Sequence, residues 1–342
     1  MPAVANHWNG LVAAGAGCGK GAAVRRIAVM TSGGDAPGMN AAVRAVVRRA
    51  VAFGVEVIGI RRGFYGLLRE EFQPLETESV HDIIHRGGTM LLTARCAEFL
   101  TPQGQAAGLA NLRGQGVEGL VCVGGDGSLR GCAALESLGL PVVGIPGTID
   151  NDLAGTEATV GFDTALNTAV DAVDRVRDTA TAHERTFVVE VMGRHSGFLA
   201  LATGLACGAE TILVPEIPWS VDVVCRRLRR GLERGLRQNI VIVAEGAGHA
   251  VDLGTQIERA TGLETRVTIL GHVQRGGSPT AVDRNLASQL GAAAVEFLME
   301  GHHGLMAAVQ GSVQVGVPLR SATAGRRHLD PALHELARIL SA

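Results

Sequence analysis

The sequence predicts an α/β protein with mainly parallel sheets. Its 342 residues amount to about two average domains. Hydrophobic residues make up 46 % of the chain and charged residues 19 %, a composition that excludes intrinsic disorder. From Arg25 onward, short β-branched runs alternate with helical stretches, and Gly, Asp or Pro turns join them. This alternation is typical of βαβ units, in which a helix connects two parallel strands.

The elements follow one another in a regular order. The predicted strands are Ile27–Thr31, Glu56–Ile60, Gly119–Val123, Pro141–Ile145, Thr186–Val191, Thr211–Val214, Asn239–Ala244 and Val267–Leu270. The predicted helices include Met39–Phe53, Leu129–Ser137, Thr164–Thr179, Val221–Gly235 and Ala281–Gly301. Because ligands of parallel sheets bind outside the carboxyl ends of the strands, functional residues are expected in the loops that follow them.

The first 24 residues differ from the rest of the chain in their sequence pattern. Residues 1–24 lack periodicity and are expected to be a disordered leader. Within them, Gly15–Gly21 suggests a phosphate loop, but Ala14 stands where that pattern needs Gly, and Gly21 where it needs Ser or Thr.

Charge and cysteine content narrow the function classes. The chain has 31 Lys and Arg against 33 Asp and Glu, so no global basic field is available to hold nucleic acid or an anionic membrane. Apolar runs such as Ile240–Ala244 fall far short of the roughly 20 residues that span a bilayer. The six cysteines include no Cys-x-x-Cys pair and are expected to be reduced thiols, which indicates a cytoplasmic protein.

Two glycine-rich loops are candidates for phosphate binding. Thr31–Asn40 follows the first predicted strand, and Gly124–Ser128 follows the third. Backbone N–H groups at a helix N-terminus can face a phosphate there, and glycine permits close approach. Asp126 is interpreted as a Mg²⁺ ligand, since a carboxylate beside a phosphate is costly without a cation. Each loop taken alone could also be a tight turn.

Two carboxylates, Asp150 and Asp152, follow the fourth predicted strand within Pro146–Asp152. Beside a phosphate loop, such a pair suits one general base and one metal or water contact. A helix N-cap with a turn Asp is the alternative interpretation.

Five segments together resemble the motifs of bacterial 6-phosphofructokinases, in that family's order and approximate spacing. They are Thr31–Asn40, Gly124–Ser128, Pro146–Asp152, Met192–Arg194 and Gly271–Pro279. The resemblance runs from about residue 25 to the C-terminus. It implies two Rossmann-like three-layer α/β lobes in a homotetramer, or a homodimer, that uses ATP and Mg²⁺ to phosphorylate O1 of fructose 6-phosphate. Residues 25–161 plus 274–324 would form the ATP-binding lobe, and 162–273 plus 325–342 the sugar-phosphate-binding lobe.

Roles for individual residues come from positions that match the family. The resemblance implies that Asp150 is the general base, that Arg194 stabilises the transferring phosphoryl group, and that Thr148 lies near it. The implied ATP-binding residues are Gly34, Arg95, Gly124, Gly125, Asp126, Gly127 and Ser128. The implied substrate-binding residues are Thr148, Asp150, Asp152, Arg185, Met192, Gly193, Arg194, Glu245, Arg266, His272 and Arg275, with Arg185 and Arg266 reaching across a subunit boundary.

Two glycines indicate which phosphoryl donor the protein uses. Pyrophosphate-using relatives carry Asp where this chain has Gly127 and Lys where it has Gly147, so ATP is favoured and pyrophosphate is the alternative. Leu100 and Arg130 depart from the family's adenosine pocket and leave the nucleotide preference open. NAD kinases and diacylglycerol kinases share a Gly-Gly-Asp-Gly loop. The segment Thr148–Asp152 and the arginines matched to sugar-phosphate binding argue against membership of those two families. A non-catalytic sensor would be expected to lack Asp126 or Asp150.

A possible effector site is only partly retained. Its implied residues are Arg44, Arg48, Arg177, Glu210 and Arg234. Thr77 and Leu236 replace two cations of the regulated pattern, so control by ADP or phosphoenolpyruvate is expected to be weak or absent. Compensation by the neighbouring Arg237 is the alternative.

Overall fold

The computed structural model describes residues 17–18, 24–183, 185–236 and 238–341. The chain divides into two compact units. Of the described residues, unit 1 comprises those up to Thr148, together with Leu153–Gly161 and Gly277–Arg327. Unit 2 comprises the described residues of Ile149–Asp152, of Phe162–Gly276 and from His328 onward.

The strands and helices are numbered in chain order. The strands are β1 (Gly17–Cys18), β2 (Arg26–Ser32), β3 (Glu56–Ile60), β4 (Phe72–Leu75), β5 (Gly119–Gly124), β6 (Val142–Pro146), β7 (Thr186–Val191), β8 (Thr211–Leu213), β9 (Asn239–Ala244), β10 (Thr265–Ile269), β11 (His302–His303), β12 (Leu305–Gln310) and β13 (Val313–Pro318). The helices are α1 (Met39–Ala52), α2 (Gly63–Leu68), α3 (Pro102–Gly114), α4 (Asp126–Ser137), α5 (Phe162–His183), α6 (Phe198–Cys207), α7 (Val221–Glu233), α8 (Ala250–Thr261), α9 (Ala281–Met299), α10 (Leu319–Ala324) and α11 (Pro331–Leu340).

Unit 1 is built on a seven-stranded sheet with the order β13-β12-β6-β5-β2-β3-β4. The five inner strands are parallel, while β4 and β13 run antiparallel at the two edges. Every residue of β5 and of β6 is buried, as expected for strands that are covered on both faces. The register pairs Ser32 with Gly124 and Gly124 with Pro146, so β2, β5 and β6 end at one edge of the sheet.

Unit 2 contains a four-stranded sheet, β10-β7-β9-β8, in which all neighbours are parallel. Its central strand β9 is buried throughout. The register pairs Val191 with Ala244, so the loops after β7 and β9 leave the same edge. The two sheets confirm the predicted α/β class with mainly parallel strands.

Several helices begin at the capping residues that their sequences supply. Thr101 accepts a hydrogen bond from Gly104 N at 3.1 Å, and Pro102 occupies the first turn of α3. Ser220 and Thr280 accept bonds from N–H groups in the first turns of α7 and α9. These side chains satisfy N–H groups that have no acceptor within the helix.

The structure differs from several of the predicted bounds. Helix α4 begins at Asp126 rather than Leu129, because Asp126–Ser128 form its first turn instead of a loop. Residues 149–152, predicted in the first lobe, group with unit 2, where Ser196 Oγ donates to Asp150 O at 2.8 Å. Residues 274–276, predicted in the ATP-binding lobe, group with unit 2. Residues 325–327, predicted in the sugar-phosphate-binding lobe, group with unit 1.

Only part of the predicted leader can be compared with the structure. Gly17–Cys18 pairs antiparallel with His302–His303. The rest of residues 1–23 lies outside the described residues. Across the described ranges, no helix has both the length and the apolar character that crossing a bilayer requires.

Candidate active site

In unit 1, three loops leave neighbouring parallel strands at one sheet edge. Gly33 and Gly34 follow β2, Gly125 follows β5, and Gly147 with Thr148 follows β6. The structure thus brings together most of the residues implied in ATP binding. Thr148 is held by its backbone, since its N–H donates to Val160 O at 3.1 Å and its carbonyl accepts from Thr159 Oγ1 at 2.6 Å.

The first turn of α4 offers backbone donors to an anion. Gly125 is the extended residue before the helix, and its carbonyl accepts from the N–H groups of Ser128 and Leu129, both at 3.0 Å. The first N–H groups of a helix have no intrahelical acceptor, and the positive end of the helix favours an anion. A phosphate group is the ligand that suits this turn.

Three glycines of these loops differ in the space around them. A Cβ at Gly124 would lie 2.6 Å from both Ser128 Cβ and Ser32 O, so only glycine fits there. A Cβ at Gly147 would lie 2.9 Å from Val123 Cγ1, which leaves a lysine no room without rearrangement. A Cβ at Gly127 would meet nothing within 4 Å. Gly127 therefore faces open space, where a side chain could enter.

Asp126 is suited to hold Mg²⁺ together with a bound phosphate. It is the first residue of α4, and its Oδ1 accepts from Arg130 Nε at 3.1 Å. The described residues include no group of three or more His, Cys, Asp or Glu that could hold a metal. Since Mg²⁺ is commonly bound by one or two carboxylates plus substrate phosphates and waters, the Asp126 carboxylate fits this kind of site.

The segment that carries Arg95 is anchored to the loop after β2. Thr93 Oγ1 donates to Gly33 O at 2.6 Å, and Thr31 Oγ1 donates to Leu92 O at 3.0 Å. Arg95 follows two residues after Thr93 and is exposed. Leu100, one of the two departures from the family's adenosine pocket, is 79 % exposed and lies in the same unit.

Most of the predicted substrate-binding residues of unit 2 also follow parallel strands, whereas Arg185 precedes β7 and Arg266 lies near the start of β10. Met192–Arg194 come after β7, Glu245 comes directly after β9, and His272 and Arg275 come after β10. These three strands are neighbours in the sheet. The structure therefore places these side chains at one sheet edge.

Asp150 lies among charged groups of unit 2. Burial raises the pKa of its carboxyl group, and the carboxylates of Asp152 and Glu245 raise it further. Arg275 and Arg194 act in the opposite direction, because a cation stabilises the ionised carboxylate. A half-buried carboxylate with a raised pKa, held between acids and arginines, has the character of a proton acceptor.

The loop that presents Arg194 is tied to Glu245. Glu245 Oε1 accepts from Arg194 N at 2.6 Å and from Gly193 N at 3.3 Å. Arg194 has a φ of 54°, a left-handed conformation that is uncommon for a residue with a side chain. A Cβ at Gly246 would lie 2.0 Å from Arg194 O, so the neighbouring loop must carry glycine for the two backbones to approach.

Two residues of this loop region had no predicted role. Gln274 is fully buried, and its Oε1 accepts from Met192 N at 2.8 Å. Ser196 is buried too, and its hydroxyl donates to Asp150 O at 2.8 Å. Both residues position a functional segment through its backbone. Gln274 lies within the quoted motif Gly271–Pro279, but a motif does not reveal which backbone group a side chain reaches.

Arg185 and Arg266 share one acidic partner. Glu264 Oε1 forms an ion pair with Arg185 Nε at 2.9 Å and another with Arg266 Nη2. The hydrogen bond from Arg185 is the largest cause of a lowered pKa at Glu264. The structure therefore brings together the two arginines that were implied to act across a subunit boundary. His272, in the short turn Gly271–Gln274, is exposed.

Comparison with known proteins decides the family. Residues 26–298 match the family described as phosphofructokinase. The chain is 56 % identical over 318 residues to the ATP-dependent 6-phosphofructokinase of Bacillus cytotoxicus, a match that covers 93 % of this chain and all of the relative. This chain belongs to the phosphofructokinase family. The resemblance stated from the motifs is confirmed.

Solved phosphofructokinase structures share the fold. The phosphofructokinase of Saccharomyces cerevisiae matches with a TM-score of 0.82 and 38 % identity over 93 % of this chain, which spans 48 % of the yeast chain. A pyrophosphate-dependent phosphofructokinase from Marinobacter aquaeolei matches with a TM-score of 0.83 and 22 % identity, covering 90 % of this chain and 86 % of that one. The match to the Marinobacter aquaeolei protein shows a shared fold alone, because the sequence identity is 22 %.

The residues matched to the family's effector site are divided between the two units. Arg44 and Arg48 lie on α1 of unit 1, where burial, followed by the charge of Arg48, lowers the pKa of Arg44. In unit 2, Arg177 Nη2 donates to Cys207 O at 2.5 Å, and Glu210 Oε2 accepts from Ile240 N at 2.5 Å.

Burial raises the pKa of Glu210, while Arg177 lowers it. Arg234 is exposed at the end of α7. Arg237, the alternative cation, lies outside the described residues. The effector site stays a prediction.

Proposed function

We propose that this phosphofructokinase transfers the γ-phosphoryl group of ATP to O1 of fructose 6-phosphate. The observation that carries the proposal is the Asp150 carboxylate, which burial and acidic neighbours hold at a raised pKa beside Arg194 and Arg275. The curated relatives are named ATP-dependent 6-phosphofructokinase, which supports the same donor and acceptor.

Asp150 acts as the general base. An alcohol attacks phosphorus better as its proton is removed, and a positioned carboxylate can accept that proton. The raised pKa of Asp150 makes it a stronger base than an ordinary aspartate once it is ionised. Ser196 supports this role, because its hydrogen bond to Asp150 O holds the backbone from which the carboxylate extends.

Arg194 neutralises charge on the transferring group. Phosphoryl transfer spreads negative charge over the phosphoryl oxygens, so most of the catalysis comes from positioning and electrostatic stabilisation. The left-handed backbone of Arg194 and its hydrogen bond to Glu245 restrict where the guanidinium can go. Thr148 contributes as a further contact to the phosphoryl group.

The sugar phosphate is held by Arg275 and polar groups at the carboxyl edge of the unit 2 sheet, and by Arg185 and Arg266 of a neighbouring subunit, which lie near the amino ends of β7 and β10. Arg185, Arg266 and Arg275 suit a phosphate because a guanidinium can form two parallel hydrogen bonds and stays charged. His272 is exposed and available to the same anion. Glu245 accepts its backbone bonds through Oε1, and Oε2 is proposed to accept from a sugar hydroxyl. Asp152, Met192 and Gly193 complete this group.

ATP is held by unit 1, through the first turn of α4 and the loops after β2 and β6. Mg²⁺ bound to Asp126 would neutralise phosphate charge during transfer. The proposed contacts are Gly34, Arg95, Gly124, Gly125, Asp126, Gly127 and Ser128. The crowded position 147 supports ATP over pyrophosphate, because the lysine of pyrophosphate-using relatives would require Val123 to shift.

The proposal includes assembly and location. A homotetramer, or a homodimer, would let Arg185 and Arg266 serve the site of a neighbouring subunit. Glu264 would then orient both arginines before the neighbour arrives. A cytoplasmic enzyme that binds neither nucleic acid nor membrane is part of the same proposal.

A coupled assay with fructose 6-phosphate tests the function. ATP is expected to support turnover and pyrophosphate is not. Asp150→Asn should lower kcat by about 100-fold or more, as removal of a general base does, with little change in KM. Asp171→Asn is the matched control, since Asp171 is an exposed carboxylate paired with Arg175. Turnover with pyrophosphate alone, or a near-normal kcat for Asp150→Asn, would contradict the proposal.

A further inference from the structure

A cavity of about 460 Å³ lies within unit 2 along β8, the edge strand of its sheet. Its walls come from β8, the following segment, the start of α7 and the C-terminal helix α11. None of the residues proposed to bind sugar phosphate lines it. Its size is within the range that takes a small organic ligand.

The cavity is mostly apolar. Ile217, Trp219 and Val223 contribute apolar surface, and further side chains of β8 and α7 extend it. The Trp219 ring is fixed at its polar end, because its Nε1 donates to Ala247 O at 3.2 Å. A rigid aromatic wall of this kind favours the apolar body of a ligand.

One cation lines the cavity without a direct ion pair. Arg227 is half-buried on α7, and among the described residues it forms no hydrogen bond or ion pair. Burial lowers its pKa, as does the nearby charge of Arg338, while the carboxylate of Glu335 raises it. Glu335 accepts two hydrogen bonds from Arg338. Two arginines therefore share the charge of Glu335, and Arg227 is the one that does not bond to it.

A cation without a direct ion pair, beside apolar walls, defines the ligand class. Arginine is rarely buried without a partner, and its planar fork matches a carboxylate. The further polar side chains of the lining are Thr211, Ser220 and His334, and His334 Nε2 lies 3.5 Å from Ile212 O.

We propose that this cavity binds a small amphipathic carboxylate, with its apolar body against Ile217, Trp219 and Val223 and its carboxylate on Arg227. The proposal is independent of the catalytic function, since it rests on residues that the reaction does not use.

Trp219 provides a direct readout. The sequence has two tryptophans, Trp8 and Trp219, so the Trp8→Phe full-length enzyme reports on the cavity alone. Octanoate is the probe, and 1-octanol, with the same chain length and no charge, is its control. Octanoate is expected to change the fluorescence saturably and to bind about tenfold or more tightly than octanol, as a charge-assisted hydrogen bond predicts.

Two matched variants test the assigned cation. Arg227→Met, which keeps the apolar stem, should reduce octanoate affinity to the level of octanol. Arg226→Met, at an exposed position of the same helix, should leave the preference unchanged. Should Arg227→Met fail to fold, Val223→Trp at a 44 % exposed position should block the cavity and abolish octanoate binding measured by calorimetry.

Three results would overturn the proposal. Equal affinity for octanoate and octanol would make the cavity a generic apolar space. An equal loss of octanoate affinity in Arg226→Met and Arg227→Met would mean that the general positive charge of the helix attracts octanoate and that Arg227 has no specific role. The absence of any saturable change with octanoate would mean that the cavity does not take this ligand class.

Discussion

Gly127→Asp should separate ATP binding from protein stability. Position 127 is the second residue of α4, and a Cβ there would meet nothing within 4 Å. The substitution therefore creates no steric conflict within the protein. An acidic residue in the first turn of a helix contributes about 0.3–1 kcal/mol, and replacing helical glycine adds a few tenths more. The free energy of unfolding is expected to stay constant or rise by about 1 kcal/mol.

The same carboxylate should repel the phosphates of ATP. Two like charges about 5 Å apart at an effective dielectric of about 20 repel by about 3 kcal/mol, which corresponds to a loss of about 100-fold in affinity. Gly127→Asn is the matched control, because it adds nearly the same volume without the charge. It should lose less affinity than Gly127→Asp, since it adds bulk beside ATP without adding a negative charge.

Calorimetric ATP binding and kcat/KM for ATP at saturating fructose 6-phosphate measure the effect, and urea unfolding measures stability. An equal loss in Gly127→Asn and Gly127→Asp would mean that volume matters and charge does not. Unchanged ATP affinity in Gly127→Asp would mean that α4 does not face the phosphates. A large drop in the free energy of unfolding would contradict the open space at this position.

Three further predictions concern the base, the assembly and the effectors. Because burial and neighbouring acids raise the pKa of Asp150, kcat/KM should fall as the pH decreases through that pKa. Asp152→Asn should move this acid limb to lower pH, and a shift to higher pH would refute the electrostatic account. Mixing Asp150→Asn with Arg266→Met subunits should restore part of the activity through hybrid sites, and no recovery despite measured subunit exchange would contradict a shared site. Millimolar phosphoenolpyruvate or ADP should shift the fructose 6-phosphate midpoint less than about twofold, because two charge-assisted contacts of about 1.5–3 kcal/mol each are missing. A shift of about tenfold that Arg48→Ala abolishes would show that regulation survives.

Elements with a strong local pattern could be predicted from the sequence. The predicted bounds of β3, β7 and β9 agree with the structure residue for residue. Helix α6 was not predicted, because its residues are nearly all apolar and show no helical period. The hairpin of β12 and β13 was also missed, although Gly311 and Ser312 between them form a two-residue turn that indicates one.

The candidate site was predictable where strand ends alone determine position. Parallel strands bring their carboxyl ends to one edge, so Arg194 and Glu245 could be expected near each other once both strands were recognised. The hydrogen bond from Met192 N to Gln274 could not be predicted, since it joins segments that are 82 residues apart. The crowding at Gly147 likewise depends on a side chain of another strand, Val123.

The interleaving of the two units along the chain has a consequence for how the protein forms during synthesis. All four strands of the unit 2 sheet lie between Thr186 and Ile269, so they leave the ribosome as one block. The unit 1 sheet starts earlier but needs β12, which pairs with β6, and α1 needs α9 to cover its apolar face. Contacts of such long sequence separation form slowly, and uncovered apolar surface invites aggregation meanwhile. The unit 1 sheet, although its first strands are made earlier, is thus completed after the unit 2 sheet, and the apolar face of α1 stays uncovered until α9 has been made.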